Sequence, residues 1–175
     1  MLARAARLAA MSAPASAALA PASTAAASAA FATSAGSDSK PQPTFKRELA
    51  GELEQVVENI ATHLKSEGFG VLTRIDLHQK VKEKLGKEMA PCVILGACNP
   101  MMAYEAFQIS SDVTSRMPCN ITVRQLSKGL MSVEVAKPSA AMLTFDNPML
   151  TKMSEEGDQK LLRVLDRLEG KAAGI

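Results

Sequence analysis

The sequence predicts one α+β domain, a single mixed five-stranded sheet covered by helices in the order β-α-β-α-β-α-β-β-α. Three observations carry this. Past residue 44, apolar residues recur at helical and strand spacing by turns. Glycine, proline or asparagine marks most changes of period. A chain of 175 residues with 47% hydrophobic content can build one core, but not two comfortable ones.

Thr44 to Leu49 can form a short first strand beyond Pro41 and Pro43. Leu53, Val56, Val57, Ile60 and Leu64 then share one helical face, with Glu52, Glu54, Glu58 and Lys65 opposite, and Gly68 ends that helix. Phe69 to Ile75 is apolar enough for a largely buried strand. Asp76 can cap the next helix, where Leu77, Val81 and Leu85 make a stripe before Gly86 stops it. Cys92-Val93-Ile94-Leu95 reads as a buried strand between Pro91 and Gly96. Asn99 and Pro100 suit the cap and first turn of a helix over Met101 to Ile109. Asn120 to Leu126 and Leu130 to Ala136 pair as a hairpin across Ser127-Lys128-Gly129. Asn147-Pro148 repeats the cap signal, and Gln159 to Leu168 forms the last helix. Five short strands leave at least one edge open and Met131, Val133 and Val135 alternate along the last strand, so a homodimer is expected.

Residues 1–44 are different material. Alanine fills 18 of the first 36 positions, and no acid precedes Asp38. The opening MLARAARLAA places Arg4 and Arg7 on a short basic amphipathic helix, the form of an organelle transit peptide. Residues 1–44 therefore read as a transit peptide and linker, with mitochondrion as the destination and plastid as the alternative, and residues 45–175 as the domain. A secretory signal fits poorly, because Ser12, Pro14 and Ser16 interrupt its apolar stretch. No later run approaches the roughly 18 apolar residues of a membrane span. Of the 20 basic and 18 acidic residues, Arg4, Arg7, Lys40 and Asp38 precede Phe45, which leaves the domain without net charge. With one tyrosine and no tryptophan, it also lacks the basic, aromatic surface that nucleic acid demands.

The residues that carry chemistry cluster. Cys98-Asn99 precedes a helix start, where unpaired N–H groups and the helix dipole favour a thiolate. Cys119-Asn120 opens the following strand. If the two strands are antiparallel, the cysteines lie at the same end of the sheet. Packing explains both thiols equally well, and the two asparagines have bland roles as a helix cap and a strand entry. Cys92 sits inside an apolar strand and reads as packing. His63 and His78 lie on separate helices beside no other ligand in sequence, there is no Cys-x-x-Cys, and Gly68-Phe69-Gly70 lacks the rest of a dinucleotide fingerprint. Tyr104 either packs or presents its hydroxyl at the site.

ILGACNP (Ile94 to Pro100), PCN (Pro118 to Asn120), EGFGVLTRIDL (Glu67 to Leu77) and KEKLG (Lys82 to Gly86) together resemble the domain of unknown function 302 family, over about Phe45 to Leu168. The resemblance implies cysteine at both matching positions and no settled activity. It also marks departures: Cys92 stands where relatives usually carry an aromatic residue, and Ser115-Arg116 where they carry two leucines.

Cys98, Asn99, Cys119 and Asn120 are thus the candidate ligand-binding residues. The favoured class is a small binding or assembly domain that holds a small ligand or metal. The alternatives using the same two cysteines are a thiol-dependent redox enzyme and a transition-metal binding protein. The residues fix no reaction, cofactor or catalytic group. Deleting residues 1–44 is expected to leave the melting temperature unchanged while abolishing organelle import. Loss of cooperative unfolding in the shortened chain would show the boundary to be misplaced.

Overall fold

The computed structural model describes residues 43–169. Residues 1–42, on which most of the transit-peptide reading falls, and residues 170–175 lie outside them. The elements run β1 (Thr44–Ala50), α1 (Leu53–Ser66), β2 (Gly70–Asp76), α2 (Leu77–Leu85), β3 (Cys92–Cys98) and α3 (Pro100–Ile109). A 3₁₀ turn (Ser111–Arg116), β4 (Cys119–Ser127), β5 (Leu130–Ala136), α4 (Pro138–Met142), a second 3₁₀ turn (Leu143–Phe145) and α5 (Pro148–Glu169) complete them. The strand order is β1-β5-β4-β3-β2.

The α+β class holds, but the sheet is antiparallel at every pairing and not mixed. A parallel neighbour needs a connection that crosses back over the sheet. Here α3 packs chiefly against the first 3₁₀ turn and α5, so the chain re-enters β4 at the end where it left β3. The predicted strands and helices are otherwise present, with β3 extended through Gly96 to Cys98.

One sheet face carries the core. Leu49, Val93, Leu95, Ile121, Val123, Met131, Val133 and Val135 are buried there against Val56, Val57, Ile60 and Leu64 of α1 and Leu161, Val164, Leu165 and Leu168 of α5. Each such side chain contributes about 1.5–3 kcal/mol. Met131, Val133 and Val135 therefore belong to this core and are not themselves a surface for a partner. A second apolar cluster joins Ala106, Val113 and Leu150 to Met117, Met142, Phe145 and Met153 under α3 and α4. The helix that ends the fold begins at Pro148 and not at Gln159, because Asn147 Oδ1 accepts from the Met149 and Leu150 amides (2.9 and 3.2 Å).

The β2-α2 segment differs from its reading. β2 is an edge strand exposed along its length up to Asp76, and α2 buries none of its side chains. The Leu77, Val81 and Leu85 stripe is therefore no core face. Asp76 makes no side-chain cap to α2; its carboxylate takes Arg74, which also grips Glu54 at 2.6 and 2.8 Å. His78 Nδ1, 3.0 Å from Cys92 O and 3.2 Å from Cys92 N, fastens α2 to β3.

Gly96, in mid-strand, admits its neighbours. A Cβ there would collide with Thr73 Oγ1 and lie 2.7 Å from Pro118 Cγ. Gly96→Ala should cost about 1–3 kcal/mol through overpacking. Gly70→Ala, with nothing within 4 Å of its would-be Cβ, should stay within about 0.5 kcal/mol of the parent or gain stability. Urea unfolding of the pair checks this; equal midpoints would mean that β3 tolerates a side chain at 96.

Candidate functional site

The antiparallel register brings the two cysteine motifs to one end of the sheet. Cys119, the first residue of β4, pairs with Ala97, and Cys98, the last of β3, pairs with Gly70. Because successive strand residues face opposite ways, the two side chains leave their strands on opposite faces. Both nevertheless border a single cavity of about 180 Å³ that also meets Asn99 and Asn120. Cys92 does not border it; that residue is 7% exposed and pairs with Arg124 further along the sheet.

The cavity lies where the two apolar clusters meet. Phe69 and Ala97 belong to the main cluster, while Ala106, Met117, Met142 and Met153 belong to the second. The space is half open to solvent, an apolar cleft and not an interior void. The wall formed by α5 depends on Gly157, a residue that costs about 1 kcal/mol relative to alanine in a helix interior. A Cβ there would come within 3.2 Å of Pro138 Cγ and 3.3 Å of Met102 Cε. Beside it, Asp158 accepts from the Ser139 amide at 3.1 Å and the Ser139 hydroxyl at 2.5 Å, which fixes α4 against α5.

Asn99 caps α3: its Oδ1 accepts from Met101 N at 3.1 Å and Met102 N at 3.2 Å. The same side chain lies so close to Gly68 that a Cβ there would come 3.0 Å from its Nδ2. Asn120 is exposed and pairs with Gly96. Tyr104 is 64% exposed and lines a separate shallow surface with Glu105 and Met149, away from the cysteines. Among the described residues no group of three or more His, Cys, Asp or Glu could hold a metal ion.

Burial, not the helix end, governs the thiols. It pushes the Cys98 thiol above its ordinary value. Cys119 rises further, to about 11, chiefly through burial, with Cys98 and Asp158 adding like-charge repulsion. Burial likewise raises Cys92, partly offset by Arg124. All three thiols are therefore protonated at neutral pH and poor nucleophiles.

Sequence reasoning missed Gly157, Asp158 and the methionine lining. The Asn147-Pro148 cap was the available signal, since a helix begun there carries Gly157 in its interior, where a glycine implies close approach.

The raised Cys119 pKa gives a pH dependence of stability. A thiol ionises in the unfolded chain near 9 and in the folded one near 11, so its contribution is complete below pH 9 and lost as pH rises through 11. Wild type should lose about 1–3 kcal/mol more between pH 8 and 11 than Cys119→Ser. Urea midpoints across that range measure the difference, and parallel curves for the two proteins would refute a thiol held neutral by burial.

The comparisons with known proteins agree on the family and stop there. The model of the family described as domain of unknown function DUF302 matches residues 45–168. Among solved structures, the chain is similar to an uncharacterized conserved DUF302 protein from Bacillus stearothermophilus. The two share 27% identity and a TM-score of 0.68, over 73% of this chain and 99% of that one. No curated protein matches. With the family model matching well over half of the chain and reaching every strand and helix, the chain belongs to the DUF302 family.

Proposed function

We propose that the domain is a non-catalytic binding module whose small ligand occupies the cavity bordered by Cys98, Asn99, Cys119 and Asn120. The cavity itself carries this reading: apolar side chains from both clusters surround it, yet nothing from the described chain fills it. A lined, largely apolar space with a few polar groups at its rim is the usual form of a small-molecule site. Protonated thiols suit a wall better than a reaction, so the redox reading draws less from the geometry. A transition metal would have to combine the two thiols with methionine sulfur, a soft set that suits copper(I).

The surface that supports a homodimer is the β2-α2 side. Leu72 is 66% exposed on the edge strand, with Val71, Ile75, Leu85 and Met89 exposed nearby. An uncovered edge with apolar side chains is a template for pairing. The leader supports delivery of the domain to the mitochondrion, with plastid as the alternative. No described helix is long and apolar enough to cross a membrane, and the balanced charge gives nucleic acid little to hold.

One preparation of the full chain tests both halves of this proposal. Non-denaturing mass spectrometry with metal analysis should show a retained small organic molecule and a dimeric mass at micromolar concentration. A retained metal would replace the small-molecule reading, and an oxidised Cys98–Cys119 pair would favour redox chemistry. Leu72→Lys should yield a monomer with unchanged ligand retention; a monomer in wild type would remove the dimer.

A further inference from the structure

The charges around the cavity are of one sign. Arg116 and Lys137 border it, and among the described residues no aspartate, glutamate or histidine does. Arg116 ends the 3₁₀ turn that leads into Met117, Pro118 and Cys119, and it is exposed at the rim. Every other arginine among the described residues has a carboxylate within 4 Å: Arg47, Arg74, Arg124, Arg163 and Arg167. Arg116 has none. Lys137 carries its ammonium 4.6 Å from the centre of the Phe45 ring, without a carboxylate partner among the described residues. Asp158, next to the lining residue Gly157, accepts from Ser139 and does not itself border the cavity.

Resting on the binding reading above, we infer that the cavity takes a short aliphatic chain ending in a carboxylate, with the chain among the methionines and the carboxylate on Arg116. The size fits. An apolar cavity of about 150 Å³ stays dry and accepts a benzene-sized molecule, so 180 Å³ admits a chain of about six to eight carbons, part of it extending to the open rim. The lining fits as well: Met102, Met117, Met142 and Met153 are unbranched and adaptable, and they shape themselves to a flexible chain better than branched residues do. A guanidinium engages a carboxylate through two parallel hydrogen bonds, and at the rim of an apolar space that contact is partly shielded from water. A neutral or cationic head group would gain nothing there.

Octanoate, 1-octanol and octylamine, titrated into the full chain and followed by amide chemical shifts, test the inference. Octanoate should bind at least tenfold more tightly than 1-octanol, octylamine should bind least, and the shifts should centre on Ala103, Cys119 and Met153. Arg116→Gln should erase the gap between octanoate and 1-octanol while leaving the melting temperature unchanged, because the side chain is exposed and makes no ion pair with a described residue. Equal affinity for octanoate and 1-octanol overturns the carboxylate but leaves the pocket as a binding site. A gap that survives Arg116→Gln, alone and with Lys137→Gln, overturns the assignment of the head group to this rim. If none of the three shifts the cavity residues, the inference fails; if the purified protein also retains no small molecule, the binding reading fails with it.

Discussion

The structure turns on the missing side chain at Gly96. In the middle of β3, Thr73 arrives from β2 and Pro118 from the approach to β4, and both occupy the space a Cβ would fill. Three strands are thereby keyed at one point, and a slip of one residue would put Leu95 or Ala97 into that collision. Register follows: Ala97 meets Cys119 and Cys98 meets Gly70. Since β3 and β4 are antiparallel neighbours, everything between Asn99 and Pro118 must leave and return at the same end of the sheet. The cavity exists because that excursion folds over the sheet end and not onto its face.

The long helix α5 joins the two halves of the molecule. Its first turns give Leu150 and Met153 to the cluster under α3 and α4, and its last turns give Leu161, Val164, Leu165 and Leu168 to the main core. Gly157 lies between these groups, at the cavity wall. The C-terminal half of α5 is held in place by Glu67, whose side chain is 8% exposed and takes Arg163 at 2.8 Å and Arg167 at 2.7 Å. The hydrogen bond from Arg163 lowers the Glu67 pKa, so the contribution of this pair is present above the ordinary carboxylate range and fades as pH falls below it. Both arginines are about half exposed, which keeps the pair in the modest range of surface ion pairs, about 1 kcal/mol. Its main effect is to fix the angle of α5 and, through it, the distance between the clusters.

Much of this was legible in the sequence where local chemistry decides. Asn99-Pro100 and Asn147-Pro148 announce helix starts because the cap needs only a side-chain oxygen and the next amides, and both caps form as read. The hairpin at Gly129 and the apolar face of α1 are local in the same sense. What failed was non-local. Phe69 to Ile75 has the apolar content of a buried strand, but its place at the sheet edge leaves most of it exposed, and composition does not encode strand order. Met131, Val133 and Val135 looked available for a partner only while nothing showed which face the helices cover. Asp76 has the chemistry of a cap but found Arg74 a better partner, because a guanidinium that engages both carboxylate oxygens outweighs a single bond from a backbone amide.

The two cysteine motifs show the same contest at the candidate site, and here magnitude decides. A thiol ahead of a helix N-terminus is stabilised as thiolate only if backbone donors are left over for it. In α3, Pro100 has no N–H, Asn99 Oδ1 takes those of Met101 and Met102, and Ala103 N bonds Asn99 O. The motif that suggested an activated cysteine thus consumes the donors that would have activated it. With that effect spent, desolvation prevails and the Cys98 pKa moves up. Cys119 has no helix end to oppose the penalty and lies deeper, so its shift is larger. Neutral thiols are small, polarizable and mildly apolar, which is the character shared by the methionines around them. Chemically, the cavity is a sulfur-rich apolar wall with cations at its rim, and its physics favours holding a molecule over attacking one.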